Sequence, residues 1–434
     1  MLKLQDWEIP KLKEMIPMLL PLVFTFYFIY PQALGFMGSS FILFSGVLGL
    51  GYYIYHRFPF KEVIMVLVGM GVMLFWFYSV AWHNNSDDPY TLGYFKSEIA
   101  WFFSSYLIVL FIFKIHKRPT VDTVLKYVVG AIALQCFITF IMYLNSSIAD
   151  FFWGIQFNVE YTEEIVAENS WQRLMGYGIG FFGAGANNGV ALVIISYLLV
   201  SKPLKQGELI ILTILYVFIF YISLFMARTT VVGAGVGFAL IAFFYFFKGK
   251  TYNKKQVHRF LIVSLFFMFS GYLFVMFYFE GLSDWAFELF INFMETGTLR
   301  TRSSDGLGQM FLVPEETREL LFGDGRMVFR GTDVGFSRML FYVGIVGSIL
   351  FYGYAFFLVK MWGTKNENIK LLGYAIAIYC LILNFKGWFD LNHIFFLIFF
   401  YFMFYKYYVY YPKLIANQPI GLFNNVRHIR TQNQ

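Results

Sequence analysis

Apolar runs of roughly the 20 residues that an α-helix needs to cross a bilayer recur along this chain from end to end, and that repetition leaves few folds open. Examples are "MIPMLLPLVFTFYFIY" at 15–30 and "EVIMVLVGMGVMLFWFYSVAW" at 62–82. In hydrocarbon the backbone must satisfy its own polar groups, so such runs are read as helices. The 434 residues are 59% hydrophobic and only 14% charged, against roughly 25% charge in soluble domains. The reading is an all-α polytopic membrane protein, one integral membrane domain over residues 1–434. The first run lacks a small-residue cleavage site and is followed by further spans, so it reads as a retained helix and not a signal peptide.

Twelve spans are expected, near 15–32, 36–55, 62–82, 98–115, 122–144, 177–200, 207–226, 229–247, 259–279, 336–361, 368–386 and 390–411. Alternate connections are basic: "HRFPFKE", "KIHKRPT", "SKPLKQGE", "KGKTYNKKQVHR" and "KMWGTKNENIK", together with both termini. The positive-inside rule then puts both termini in the cytoplasm, and an even span count agrees. The net charge of +7 would point to nucleic acid in a soluble chain. Here most lysines sit beside spans, as topology alone demands, and no nucleic-acid partner is expected. The two cysteines, Cys136 and Cys380, fall inside spans without metal-ligand spacing and read as packing residues.

Two outer loops are too long to be simple turns. The first covers 146–176 and the second 280–335. Within the second, Ala286, Leu289, Phe290 and Phe293 fall at i, i+3, i+4, i+7, with Glu288, Asn292 and Glu295 on the other face. That spacing predicts an amphipathic helix on the membrane surface. Ser303, Ser304 and Asp305 can cap a further short helix, and Gly323 and Gly325 end the loop in a turn.

The cations change type with the side of the membrane. Of 20 lysines only Lys96 and Lys386 fall outside, whereas eight of 13 arginines do: Arg173, Arg228, Arg300, Arg302, Arg318, Arg326, Arg330 and Arg338. Topology depletes a translocated loop of both cations and gives no reason to keep arginine selectively. Chemistry does, because a guanidinium pairs two phosphate oxygens at once and stays charged when desolvated. The competing reading is a salt-bridge network with the ten Asp and Glu of the 280–335 loop.

Arg228 stands between two apolar spans in "LFMARTTVVGAGVGFALIAFF", with almost no loop around it. It is either a snorkelling helix-end residue or a functional group facing the bundle. Asp333, in "RGTDVGF", reads both as an N-cap of the tenth span and as a general base at the membrane face. His83 and His393 are lone histidines at helix ends without metal-ligand spacing. "GAGVG" (233–237) and "GIVG" (344–347) lie inside spans and read as close helix packing, not phosphate loops.

Four segments carry a resemblance to a known family: "QRLMGYGIGFFGAGANNGVAL", "FMARTTVVGAGVG", "LRTRSSDGLGQM" and "LFGDGRMVFRGTDVGFSRMLFYVGIVGSILFY". In order and in side of the membrane they resemble the bacterial O-antigen polymerase and O-antigen ligase superfamily, on the polymerase (Wzy-type) side. The resemblance runs over residues 170–350. Two departures stand out: Asp333 occupies the position of the ligases' histidine, and Ala227 precedes the central arginine where serine is usual.

The resemblance implies a C-type glycosyltransferase-like architecture in the bacterial plasma (inner) membrane, multi-pass, with no nucleotide sugar, no other cofactor and no metal. It implies as partners a growing glycan on undecaprenyl diphosphate as donor, a second lipid-linked repeat unit as acceptor, and membrane lipid; a chain-length regulator is left open. The roles it suggests are Asp333 as base or acceptor orienter and Arg228, Arg302 and Arg338 as diphosphate ligands. Arg173, Arg300, Arg326 and Arg330, with Asn187, would form a second set binding diphosphate or sugar. The rival reading is a twelve-span flippase for the same lipid-linked units. That reading needs charge within a cavity, and Lys126 is the clearest mid-span candidate.

Overall fold

The computed structural model describes residues 12–56, 58, 61–116, 118–156, 173–248, 254–278, 280–298, 301 and 306–410. Sixteen α-helices account for most of them and, among the described residues, there is no strand: α1 Leu12–Ile29, α2 Ser40–Tyr55, α3 Lys61–His83, α4 Tyr90–His116, α5 Val121–Leu144, α6 Ser146–Ile155, α7 Phe181–Ser201, α8 Gln206–Met226, α9 Thr230–Phe247, α10 Lys254–Tyr278, α11 Glu280–Thr296, α12 Leu307–Met310, α13 Thr317–Phe322, α14 Gly335–Met361, α15 Glu367–Leu383 and α16 Asn392–Phe404.

Among the described residues eight helices are long and apolar enough to cross a membrane: α3, α4, α5, α7, α8, α9, α10 and α14. The other four expected spans coincide with shorter helices. Two of these, α15 and α16, run 17 and 13 residues, and at 1.5 Å per residue the shorter reaches about 20 Å against a hydrocarbon core of about 30 Å. On α3, Ile64, Val68, Val72 and Phe75 are all exposed at i, i+4, i+8, i+11. A continuous apolar stripe of this kind belongs against lipid.

The chain forms two compact units, residues 1–38 with 111–286 and residues 39–110 with 287–434. The first is built around α7, whose residues Ala184 to Val200 are all buried, as a helix that is apolar on every face must be. The expectation of close packing at "GAGVG" holds. A Cβ on Gly233 would stand 2.5 Å from the Gly189 Cα, and one on Gly237 would stand 2.5 Å from the Ser196 Oγ, so α9 lies directly on α7. One chain of polar groups inside this unit is linked by hydrogen bonds. Tyr30 donates to Asn188 Oδ1 at 2.6 Å, Asn188 donates to Gln135 Oε1 at 3.3 Å, and Gln135 donates to Thr139 at 3.2 Å. Both cysteines are free and buried.

The second unit turns on a break in α14. Gly344 has φ 66° and ψ −171°, a region open in practice only to glycine. The three carbonyls just before the break are each taken. Phe341 accepts from the Asp324 N–H at 2.8 Å, Tyr342 from the Gly325 N–H at 2.9 Å, and Val343 from the Trp76 indole at 3.1 Å. An unsatisfied buried carbonyl costs about 1–3 kcal/mol, so these three caps are what make the break tolerable. The sequence reading of "GIVG" as packing fits Gly347, where a Cβ would meet Val343 and Trp76. Gly344 adds a kink that apolar periodicity does not reveal.

The helix expected over 286–295 is present within α11. Among its described residues Ala286 and Phe287 are buried, while Phe290, Phe293 and Met294 are exposed. Ser303, Ser304 and Asp305, with their expected cap, lie outside the described residues.

Replacing Gly344 by alanine would force an L-residue to φ 66° and set its Cβ 2.3 Å from the Leu321 backbone. Thermal unfolding of the purified variant should show a loss of at least about 2 kcal/mol, and a wild-type melting temperature would count against the role assigned to the break.

Candidate functional site

The expected site residues divide between the units, and each group has its own setting. In the first unit, Arg173 and Arg228 meet on one ring. The Arg228 guanidinium lies 5.0 Å from the Trp285 ring centroid and that of Arg173 lies 5.8 Å from it. Arg228 also donates from Nη1 to the Trp285 carbonyl at 3.5 Å. Arg173 lies 4.0 Å over the Phe181 ring as well. Burial, and then the like charge of Arg228, hold the Arg173 guanidinium below its ordinary pKa.

The chain is fixed locally to make this possible. The Leu174 N–H donates to the Phe225 carbonyl at 2.9 Å, Tyr177 donates to the Ala33 carbonyl at 2.6 Å, and the Gly178 N–H donates to Gln156 at 3.0 Å. Phe181, at the start of α7, has φ 53°. A bulky residue in the left-handed region costs roughly 1–3 kcal/mol, and here the strain presents the ring that Arg173 covers. Gly185 packs against Ala227 and Thr229, the neighbours of Arg228. Two residues further on is Asn187, 7% exposed, while the adjacent Asn188 is absorbed in the buried network described above.

In the second unit the arginine-bearing loop 323–330 is held from below by "HNNSDD". Asn84 donates to the Gly323 carbonyl at 3.2 Å, Ser86 to the Gly325 carbonyl at 2.8 Å, and Asp88 accepts from the Met327 N–H at 2.6 Å. Arg330 is ion-paired with Asp324 and lies 3.9 Å from Glu319, over the Phe341 ring. For this residue the salt-bridge reading fits. Arg326 and Arg318 are exposed. Arg338, in the first turn of α14, is half-buried, and among the described residues its buried Nε has no hydrogen-bond partner.

Asp333 is exposed and stands one residue before the N-cap, which is Val334. The capping role expected for Asp333 is therefore not made; Thr332 accepts from the Val334 N–H at 3.1 Å and tethers the loop to the Met310 carbonyl. Arg300 and Arg302 lie outside the described residues.

Sequence reasoning missed a carboxyl pair. Glu98 is 1% exposed and accepts from Asn392 Nδ2 at 3.1 Å; the same amide reaches Tyr94 Oη at 3.2 Å, and the Asn392 N–H donates to Asp390 at 3.3 Å. Tyr90 lies against Tyr94, Tyr342 and Trp388, within electrostatic reach of Asp390 and Arg338. Among the described residues the buried Tyr90 hydroxyl and Trp388 indole N–H have no hydrogen-bond partner. The apolar pattern predicts a span beginning near 98, which would leave Glu98 at its mouth. The helix begins at Tyr90, eight residues earlier, which sets Glu98 about 12 Å along it. The signal was "DDPY": Asp88 accepts from the Tyr90 N–H at 2.9 Å, and acid plus proline marks a helix start.

Lys126, the mid-span cation of the rival reading, is ion-paired with Glu208. His83 is exposed, and His393 lies 5.9 Å from the Trp101 ring. Among the described residues no three His, Cys, Asp or Glu side chains gather as metal ligands. No protein-family model matches the chain, and no curated protein matches it.

Burial raises the Asp390 carboxyl from 3.8 to about 6. The folded chain then holds a proton that the unfolded chain gives up between those values, so stability falls as pH rises through that window. Asp390→Asn should melt above wild type at pH 7.5, with the difference closing near pH 4. An equal difference at both pH values would remove the buried-acid assignment.

Proposed function

We propose that the protein is a glycosyltransferase of the outer membrane face, joining undecaprenyl-diphosphate-linked oligosaccharide repeats into a polysaccharide. The observation that carries this reading is the pair Arg173 and Arg228 on one indole. Two like charges held at one ring repel each other, and an anion between them reverses the sign of that interaction. A diphosphate leaving group is such an anion, and guanidinium forks match its oxygens. The arginine bias of the outer side and the resemblance over residues 170–350 support the same chemistry.

In the reaction an acceptor sugar hydroxyl attacks the donor's anomeric carbon. A C–O bond forms there as the bond to the diphosphate oxygen breaks. The hydroxyl proton passes to a carboxylate, and the electron pair leaves on undecaprenyl diphosphate. Arg228 and Arg173 stabilise the departing charge, with Arg302 and Arg338 as further ligands in the scheme. Asp333, which is exposed, is the base in this scheme. The proposal includes twelve spans with both termini in the cytoplasm, the four shorter helices completing the set.

One observation favours the transporter reading. Glu98 is a buried carboxyl inside a span, and such groups line ion and proton paths. The lipid-linked products in cells lacking the protein separate the two readings: single capped repeats on the outer face support a polymerase, and inward-trapped units support a flippase.

The direct test is reaction of the purified protein with a defined lipid-linked repeat, read as a ladder on a gel. Arg228→Lys keeps the charge and loses the fork, and should lower the rate about 100-fold. Full-length ladders at wild-type rate from Arg228→Lys and Arg302→Lys would sink the mechanism.

A further inference from the structure

Between α8 and α10, within the first unit, runs an apolar groove of about 330 Å³. Its two walls have the same spacing. Gln206, Ile210 and Ile214 line one, and Arg259, Val263 and Phe267 line the other, each at i, i+4, i+8 on one helix face. Ile210, Ile214, Val263 and Phe267 are between 40% and 54% exposed, so the groove opens onto the surface that these helices turn towards lipid. Eight residues at 1.5 Å make it about 12 Å long, close to one leaflet's half of a hydrocarbon core of about 30 Å.

Both walls start at the same end. Gln256, three residues before Arg259, donates to the carbonyls of Leu199 and Lys202 at 2.6 and 3.4 Å and accepts from the Leu204 N–H at 3.0 Å. That anchors the start of α10 to the connection leading into α8. Lys205, Lys254, Lys255 and Arg259 are all carried at this end. The nearby carboxylates are already committed, Glu208 to Lys126 and Asp122 to Lys202. Arg259 is exposed and, among the described residues, has no carboxylate partner. Hydrocarbon fits the walls and an anion fits the mouth.

We propose that this groove binds an anionic phospholipid, one acyl chain lying between α8 and α10 and the headgroup phosphate pairing with Arg259. A guanidinium fork at the end of an apolar cleft joins the two halves of such a molecule, and basic pockets between spans are a recurring form of anionic-lipid site. The site stands on the membrane reading of the chain alone and is independent of glycosyl transfer.

The test is lipid retention by the purified full-length chain in native mass spectra, after exchange into equal amounts of phosphatidylglycerol and phosphatidylcholine. Wild type should retain phosphatidylglycerol about tenfold over phosphatidylcholine, the effect of one charge-assisted pair. Arg259→Gln should bring the two to parity. Val263→Trp, at a lipid-facing position, should fill the groove and lower retention of both. Equal retention of both lipids by wild type would overturn the proposal. So would an unchanged preference in Arg259→Gln, unchanged retention in Val263→Trp, or retention of an isoprenoid phosphate in place of phospholipid.

Discussion

The second unit depends on three backbone carbonyls that a helix would ordinarily keep for itself. Gly344 breaks the ladder of α14, and the freed acceptors of Phe341, Tyr342 and Val343 are claimed by Asp324, Gly325 and Trp76. In apolar surroundings those acceptors have no water to turn to, so the cap and the break require each other. The loop that satisfies two of them is the one bearing Arg326 and Arg330. Its remaining polar contacts run to Asn84, Ser86 and Asp88. The position of the arginine segment is thus set by backbone hydrogen bonding, and its side chains are free to differ in role.

They do differ. Arg330 is spent on Asp324 and Glu319, whereas Arg338 keeps a buried nitrogen unused. In the first unit, Arg173 and Arg228 are set against aromatic faces. Phe181 and Trp285 hold Arg173 and Arg228, and an aromatic face orients a guanidinium without cancelling its charge.

Much of this was legible in the sequence, and the reasons are local. Long apolar runs declare helices whatever their neighbours do, so α3, α5, α7, α8 and α9 fall within a few residues of expectation. Close packing at Gly233 and Gly237 follows from small residues at helical spacing. What escaped depends on tertiary partners. Glu98 reads as a boundary charge until the true start of α4 is known. Gly344 looks like one more small residue until its dihedrals are seen. Asp333 misses the N-cap by a single residue, because Thr332 takes over the local hydrogen bonding. The pairing of Arg173 with Arg228 joins positions 55 residues apart, beyond any local pattern.

The complete burial of α7 bears on how this sequence can drift. Along Ala184 to Val200 no face is left over, so every position answers to a particular neighbour and size matters as much as polarity. The lipid-facing stripe of α3 answers only to the solvent, and any apolar side chain meets that demand. Two helices of similar composition therefore sit under different kinds of selection. Substitutions should collect on the lipid face of α3 while α7 keeps its glycines, alanines and asparagines in place.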